Sequence, residues 1–287
     1  MKHVLCATDL SERSDRAIRR AFRLATQQGA RLTVLTIVDS ELPVGLAETL
    51  REDAATRLER YCADMAGQFA CDYAVRAELG DPAVDLAAAA QEADADLVVI
   101  GLHRRRRILD RLRGTTMERI VRASNLPVLV VRDPADHDYR AVLAPVDFSP
   151  AAMTALHLAR ALAPDATITA FHALYIPFAG FTREDKGGPV TRSYLREVSA
   201  QMKNWAASGG LPEGVAMPDI QEGGLTEIYG QMLGRTRPDL IAIGAHARSG
   251  LAPYMLGSFA ASLVRDPPCD LLVTLPQAMA RDATSSS

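Results

Sequence analysis

The sequence predicts an α/β protein of two tandem units, each a five-stranded parallel sheet with helices on both faces, for which the order 3-2-1-4-5 is taken as the frame in placing the site. Three observations carry this expectation. The chain has 287 residues, enough for two domains at roughly 150 residues each. One order of elements is written twice along it. Within each copy, short apolar runs alternate with helical periods, the pattern of a parallel sheet covered on both sides.

The repeat is visible in two blocks. VLCATDLSERSDRAIRRAFRLA near the start returns after residue 140 as VLAPVDFSPAAMTALHLARALA, which puts Asp147 in the place of Asp9. DADLVVIGLHRRRRILDRLRGTTMERIVRASNLPVLVV returns as PDLIAIGAHARSGLAPYMLGSFAASLVRDPPCDLLVTL, pairing Gly101 with Gly244 and Gly114 with Gly257. The units are expected over 1–133 and 139–276. The charged, proline-containing stretch Arg132–Arg140 reads as the boundary between them, and the tail after Gln277 as mobile.

Strands of the first copy are expected at His3–Thr8, Leu32–Val38, Asp72–Leu79, Leu97–Gly101 and Val128–Val131, each a short apolar or β-branched run bounded by Gly, Asp or Pro. Helical periods fall between them at Asp15–Gln28, Ala47–Gln68, Ala83–Ala93 and Thr115–Ala123. Ser11 or Ser14 can cap the first helix, and Pro82 suits the first turn of the third. In the second copy the strands read at Ala141–Pro145, Ile168–Ala173, Met217–Glu222, Leu240–Gly244 and Leu271–Leu275. The first and fourth strands are continuous apolar runs, suited to the middle of a sheet.

Composition narrows the function. A formal net charge of −3 argues against a general polyanion binder. No apolar run approaches the roughly 18–20 residues of a membrane span. Asp9 falls where a signal peptide would need its apolar stretch, so the start reads as that of a cytoplasmic protein. Cys6, Cys62, Cys71 and Cys269 are scattered and read as small, buried apolar residues, not as a disulfide or zinc framework.

In an open parallel sheet, ligands bind beyond the carboxyl ends of the strands where strand order reverses. That places Thr8-Asp9 and Pro145-Val146-Asp147 on the crevice floor, with Gly101 and Gly244 beside them. Each aspartate has two readings. It accepts hydrogen bonds from an adenine amino group or a ribose hydroxyl, or it caps the helix that follows. The same choice holds for Gly114-Thr115-Thr116 and Gly257-Ser258-Phe259: free N–H groups at a helix start suit a phosphate, and the hydroxyl also serves as a simple cap. The run Arg104–Arg107, with Arg111 and Arg113, reads as a solvated loop, an anion clamp or a nucleic-acid patch. The lack of interleaved aromatics argues against the last. His103 and His246 recur beside the crevice, but no second ligand stands at metal spacing.

Both halves resemble universal stress protein (UspA-type) domains, and the chain resembles a tandem two-domain member. The resemblance implies a Rossmann-like fold of the adenine nucleotide alpha hydrolase type. Nucleotide-binding members carry Gly-x-x-Gly, nine residues, then Gly-Ser/Thr after strand four. Here the motif reads Gly101-Leu102-His103-Arg104, nine residues, Gly114-Thr115, and Gly244-Ala245-His246-Ala247, nine residues, Gly257-Ser258. Spacing is kept, but the second glycine is Arg104 in one half and Ala247 in the other. An alanine adds only a methyl group, whereas the guanidinium either fills the site or grips phosphate, so the motif ranks the second half above the first for nucleotide.

The resemblance further implies that Asp9 and Asp147 contact adenine, and that Val38, matched to Ala173, reads it through the backbone. The usual proline before the last strand is Pro127 in the first half and Asp270 in the second, and that strand commonly pairs two domains. The chain is therefore expected to be a cytoplasmic stress-response regulator binding ATP or AMP, with Mg, in one or both clefts. The two domains pair within the chain, a homodimer or other homo-oligomer can follow, and a protein partner reads the occupied state. Ligand would order the loops after strand four and the long connections Asp39–Leu50 and Tyr175–Arg192. Weak ATPase activity or autophosphorylation is a habit of some members, but no productive catalysis is expected.

Two other readings stand beside this one. The first is a scaffold or small-ligand protein with altered nucleotide sites, to which Leu174, Ile176, Phe178 and Phe181 could contribute a pocket or interface. The second is an ATP-splitting enzyme. The sequence has no Gly-x4-Gly-Lys-Ser/Thr loop, no Gly-x-Ser-x-Gly elbow and no Ser-Gly-Gly-x-Asp-Ser loop after the first strand, and Ser208-Gly209-Gly210 lies in the wrong context for the last.

Overall fold

The computed structural model describes residues 1–12, 14–82, 84–102, 116–124, 126–176, 188–245 and 257–275. The first half contains β1 (His3–Ala7), α1 (Ser14–Gln28), β2 (Arg31–Asp39), α2 (Val44–Ala66), β3 (Tyr73–Gly80), α3 (Asp85–Glu92), β4 (Leu97–Gly101), α4 (Thr116–Ala123) and β5 (Val128–Val131). The second repeats it with β6 (Ala141–Pro145), α5 (Pro150–Leu162), β7 (Thr167–Leu174), α6 (Pro189–Gly209), β8 (Asp219–Glu222), α7 (Leu225–Thr236), β9 (Leu240–Gly244), α8 (Ser258–Arg265) and β10 (Asp270–Thr274). Every expected strand is present, with ends moved by a residue or two.

All strands join one ten-stranded sheet of order β3-β2-β1-β4-β5-β10-β9-β6-β7-β8. Each half thus has the expected 3-2-1-4-5 order and parallel pairing. The halves meet through β5 and β10, which run antiparallel with Leu272 opposite Leu129. The expected pairing of the two domains within one chain is therefore made through their last strands, which places the two halves about a local two-fold relation.

Successive side chains of a strand point to opposite faces, and the core is divided accordingly. Val4 and Cys6 of β1 face α1 and α2 with Ile18, Phe22 and Leu58, whereas Leu5 joins Leu35, Leu86, Val98 and Ile120 on the other face. Helix α1 forms because Ala17, Ile18, Ala21, Phe22, Leu24 and Ala25 recur at helical spacing and are all buried. It stops at Gly29, whose φ of 60° no branched side chain adopts comfortably. The outer strand β3 carries Arg76 and Glu78, paired at 2.7 Å, which discourages further strand addition.

The stretch between the halves is held tightly. Ala135 and Tyr139 are buried within it. Arginines along one face of α1 reach its backbone: Arg16 donates to the Arg132 carbonyl at 2.7 Å, Arg20 to that of His137 at 2.9 Å and Arg23 to that of Asp136 at 2.9 Å. The spacing 16, 20, 23 is that of one helix face.

Candidate functional site

The crevice begins where β1 ends. Leu10 follows Asp9 with φ 57°, and Phe148 follows Asp147 with φ 60°. Left-handed backbone at a bulky residue costs on the order of 1–3 kcal/mol, and both halves retain it. The aspartates help to hold it: Asp9 Oδ1 accepts from the Ser11 N–H at 3.0 Å, and Asp147 Oδ1 from the Ser149 N–H at 3.0 Å. Each carboxylate therefore closes an Asx turn at the crevice floor. In the second half the helix cap is Ser149, whose hydroxyl accepts from the Ala152 N–H at 3.1 Å.

In the first half a chain of hydroxyls takes over. Thr8 Oγ1 accepts from the Leu10 N–H at 3.0 Å and donates to Ser14 Oγ at 2.8 Å, and Ser14 donates on to the Ser11 carbonyl at 2.8 Å. These groups edge a cavity of about 250 Å³, lined by Thr8, Asp9, Ser11 and Ser14 at its polar end and by Leu35, Ile37, Leu86, Ile100, Leu102 and Ile120 on its walls, with Gly101 and Pro82 beside them. An apolar slot with a few convergent polar groups is the usual form of a small-molecule site.

Among the residues expected at the site, Asp9 and Gly101 line this cavity. Asp147 holds the equivalent turn in the second half, and Gly244 ends β9. Gly244 has a packing duty of its own: a Cβ there would lie 2.3 Å from the Ala152 backbone nitrogen. Gly257 is the cap residue of α8, so the cap position offers no side chain of its own, and Ser258 is the first residue of the helix. Phe259 packs edge-on against Tyr229, ring centres 5.2 Å apart. Thr116 begins α4. Arg104, Gly114, Thr115 and Ala247 lie outside the described residues, as do His103, His246, Phe178, Phe181 and the rest of the arginine run. Leu174 is buried at the end of β7, and Ile176 just beyond it is half-buried.

Strand register revises one match. Ala7 lies beside Leu35 and Pro145 beside Phe171, so Ile37 and Ala173 occupy one place and Val38 and Leu174 the next. The expected pairing of Val38 with Ala173 is off by one residue, which in a strand means the opposite face. Ile37 and Leu35 wall the cavity, and Val38 is not among its lining residues.

The sequence did not single out the walls, because Leu35, Ile37, Leu86 and Ile120 look like ordinary core positions. Nor did it show the second half's clamp on its own turn. His172 Nδ1 lies 2.8 Å from the Val146 carbonyl, its ring stacks on Phe148 at 4.3 Å, and Trp205 donates to the Ser149 carbonyl at 2.9 Å.

Asp270, where the first half has Pro127, is wholly buried. Its Oδ1 accepts from the Arg132 and Asp133 N–H groups at 2.8 and 3.0 Å, and its Oδ2 from the Tyr139 hydroxyl at 2.6 Å. The carboxylate thus fastens the connecting stretch to the second half's last strand.

Two α/β units of one topology, each with its crevice at the reversal of strand order, define a tandem doubly wound protein. The chain belongs to the universal stress protein family, whose model matches residues 1–132 and 138–274. It is 28% identical over 142 residues to a universal stress protein of Methanocaldococcus jannaschii, covering 46% of this chain and 83% of that one. Over 141 residues it is 26% identical to universal stress protein A homolog 1 of Coxiella burnetii, covering 45% of this chain and 95% of the relative. Among solved structures, a universal stress protein from Archaeoglobus fulgidus superposes over 96% of this chain and 98% of its own, at TM-score 0.70 and 17% identity. No helix among the described residues is long and apolar enough to cross a membrane, and none of their His, Cys, Asp and Glu side chains gather in a group that could hold a metal.

Proposed function

We propose that the chain is a cytoplasmic stress-response regulator that binds an adenine nucleotide, ATP or AMP with Mg, in the cleft of its first half, and that it acts through occupancy and not turnover. The observation carrying this is the cavity at the carboxyl ends of β1 and β4, apolar along its walls and lined by Asp9, Thr8, Ser11 and Ser14 at one end. The fit is chemical. Leu35, Ile37, Ile100 and Ile120 offer flat apolar contact to a base, and the hydroxyls and carboxylate offer hydrogen bonds to its edge or to a ribose. A bound nucleotide supplies a charged, exchangeable group whose presence a partner reads. The units that carry it run over 1–133 and 139–276.

Occupancy has a route outward. Ser11 and Ser14 stand at the cavity where α1 begins, and Arg16, Arg20 and Arg23 of the same helix hold the connecting stretch. A ligand that changes the set of α1 therefore changes how the halves are joined. Calorimetric titration of ATP and AMP, with magnesium, into protein freed of co-purified nucleotide tests the reading. Micromolar binding that falls at least tenfold in Asp9→Ala supports it. No heat with either nucleotide defeats it and favours a scaffold or another small ligand, a reading consistent with the mostly apolar walls.

A further inference from the structure

The two halves can be compared position by position, because Gly80–Gly101 and Gly223–Gly244 align without a gap and the left-handed residues Asp94 and Arg237 fall at the same place in both. Strand register does the same for β1 with β6 and β2 with β7. Each residue lining the first cavity then has a counterpart. Thr8 becomes Val146 and Ser14 becomes Ala152, so two of the hydroxyls at the polar end are gone. Leu35 becomes Phe171, which is completely buried. Leu86 becomes Tyr229, whose ring meets Phe259 edge-on at 5.2 Å, where the first half has Thr116. Ile37 and Leu102 are exchanged for smaller residues, Ala173 and Ala245, while Phe171, Tyr229 and Phe259 bring aromatic rings to the walls. Ala173, Tyr229 and Phe259 pack on the same core layer as Phe171, the layer that walls the first cavity with Leu35, Leu86, Ile100 and Ile120.

We propose that the two crevices have divided: the first takes the ligand, while the second is filled by Phe171, Tyr229 and Phe259 and serves as a fixed partner, so that one chain binds one nucleotide. This rests on the nucleotide reading above and adds stoichiometry and place to it. The physical basis is that a cleft cannot hold both a purine and the aromatic side chains occupying its walls, and that loss of the Thr8 and Ser14 equivalents removes the hydroxyl chain that makes one end of the first cavity polar. The second half still contributes, since its last strand and Asp270 hold the sheet and the connecting stretch on which α1 rests.

The test is the number and location of ATP sites on the intact chain. Equilibrium titration should give one equivalent per chain. Filling the first cavity with Ile37→Trp should abolish binding, and Thr8→Val, which installs the second half's residue, should weaken it at least tenfold. Ala173→Trp, at the matching place in the second half, should leave affinity within twofold, with circular dichroism confirming that each variant is folded. Two equivalents in the wild-type chain, or binding that survives Ile37→Trp and is lost in Ala173→Trp, overturns the division and leaves the nucleotide reading intact. No binding of either nucleotide overturns both. If Ala173→Trp fails to fold, the wild-type stoichiometry and the Thr8→Val result still decide.

Discussion

Arg20 of α1 and Asp270 of β10 belong to different halves and form an ion pair, Nε to Oδ2 3.3 Å, with side chains only 2% and 0% exposed. The guanidinium also lies 4.1 Å from the centre of the Tyr139 ring and donates to the His137 carbonyl. A residue from each half and one from the stretch between them thus meet in a buried polar cluster.

Removing one member should be costly, because the others stay buried. Asp270→Asn leaves the Arg20 charge without its counterion and should destabilise the chain by about 3–5 kcal/mol. Urea unfolding with both single variants and the Arg20→Met/Asp270→Asn pair measures this. A double variant no worse than the worse single one indicates coupling, and strict additivity would show that the two side chains act independently.

The same carboxylate gives a pH signature. Burial, outweighing Arg20, Tyr139 and the Asp133 and Arg132 amides, raises its pKa above the ordinary carboxylate value. The folded chain then holds a proton at pH values where the unfolded chain has released it. Stability contributed by this group therefore falls as pH rises from about 4 through the folded pKa, and is level above it. The difference in unfolding free energy between wild type and Asp270→Asn should shift across that window in this direction. A difference independent of pH would contradict the assignment.

Gly244 and Gly257 were matched to one motif but should respond differently. A Cβ at Gly244 would meet the Ala152 nitrogen at 2.3 Å, whereas nothing lies within 4 Å of one at Gly257. Gly244→Ala should destabilise by at least about 1–3 kcal/mol through forced movement of α5 against β9. Gly257→Ala should cost less than about 1 kcal/mol, the difference between a good and a poor helix cap. Thermal melts of the two variants compare them directly.

The cysteines should differ in reactivity. Burial pushes the Cys62 thiol up to about 12 and raises those of Cys6 and Cys269 as well. Cys71 is only half-buried. Because the thiolate is the nucleophile, iodoacetamide at neutral pH should label Cys71 first and the other three only after denaturation. Early labelling of Cys62, read by peptide mass spectrometry, would contradict this.

Much of the architecture was legible in the chain. The repeat and the parallel pairing follow from apolar runs and helical periods that any residue's near neighbours reveal, whereas the strand order came with the family resemblance. The turns at Asp9 and Asp147 were equally legible as to place, though not as to which of two roles their carboxylates take. What misled was the match of Val38 to Ala173, because a one-residue slip leaves the apolar pattern of a short strand almost unchanged. The motif samples the loop after strand four and not the walls, so Leu35, Ile37, Leu86 and Ile120 stay outside it.

Sequence alone determined that this protein is one α/β unit written twice, with a crevice at the end of each first strand. The tertiary structure decided which side chains wall the first crevice and what Asp270 holds. Periodicity is a local property and survives in the order of residues. Cavity volume and a buried ion pair depend on side chains brought together from β2, α3, α4 and the opposite half, and no stretch of sequence contains that meeting.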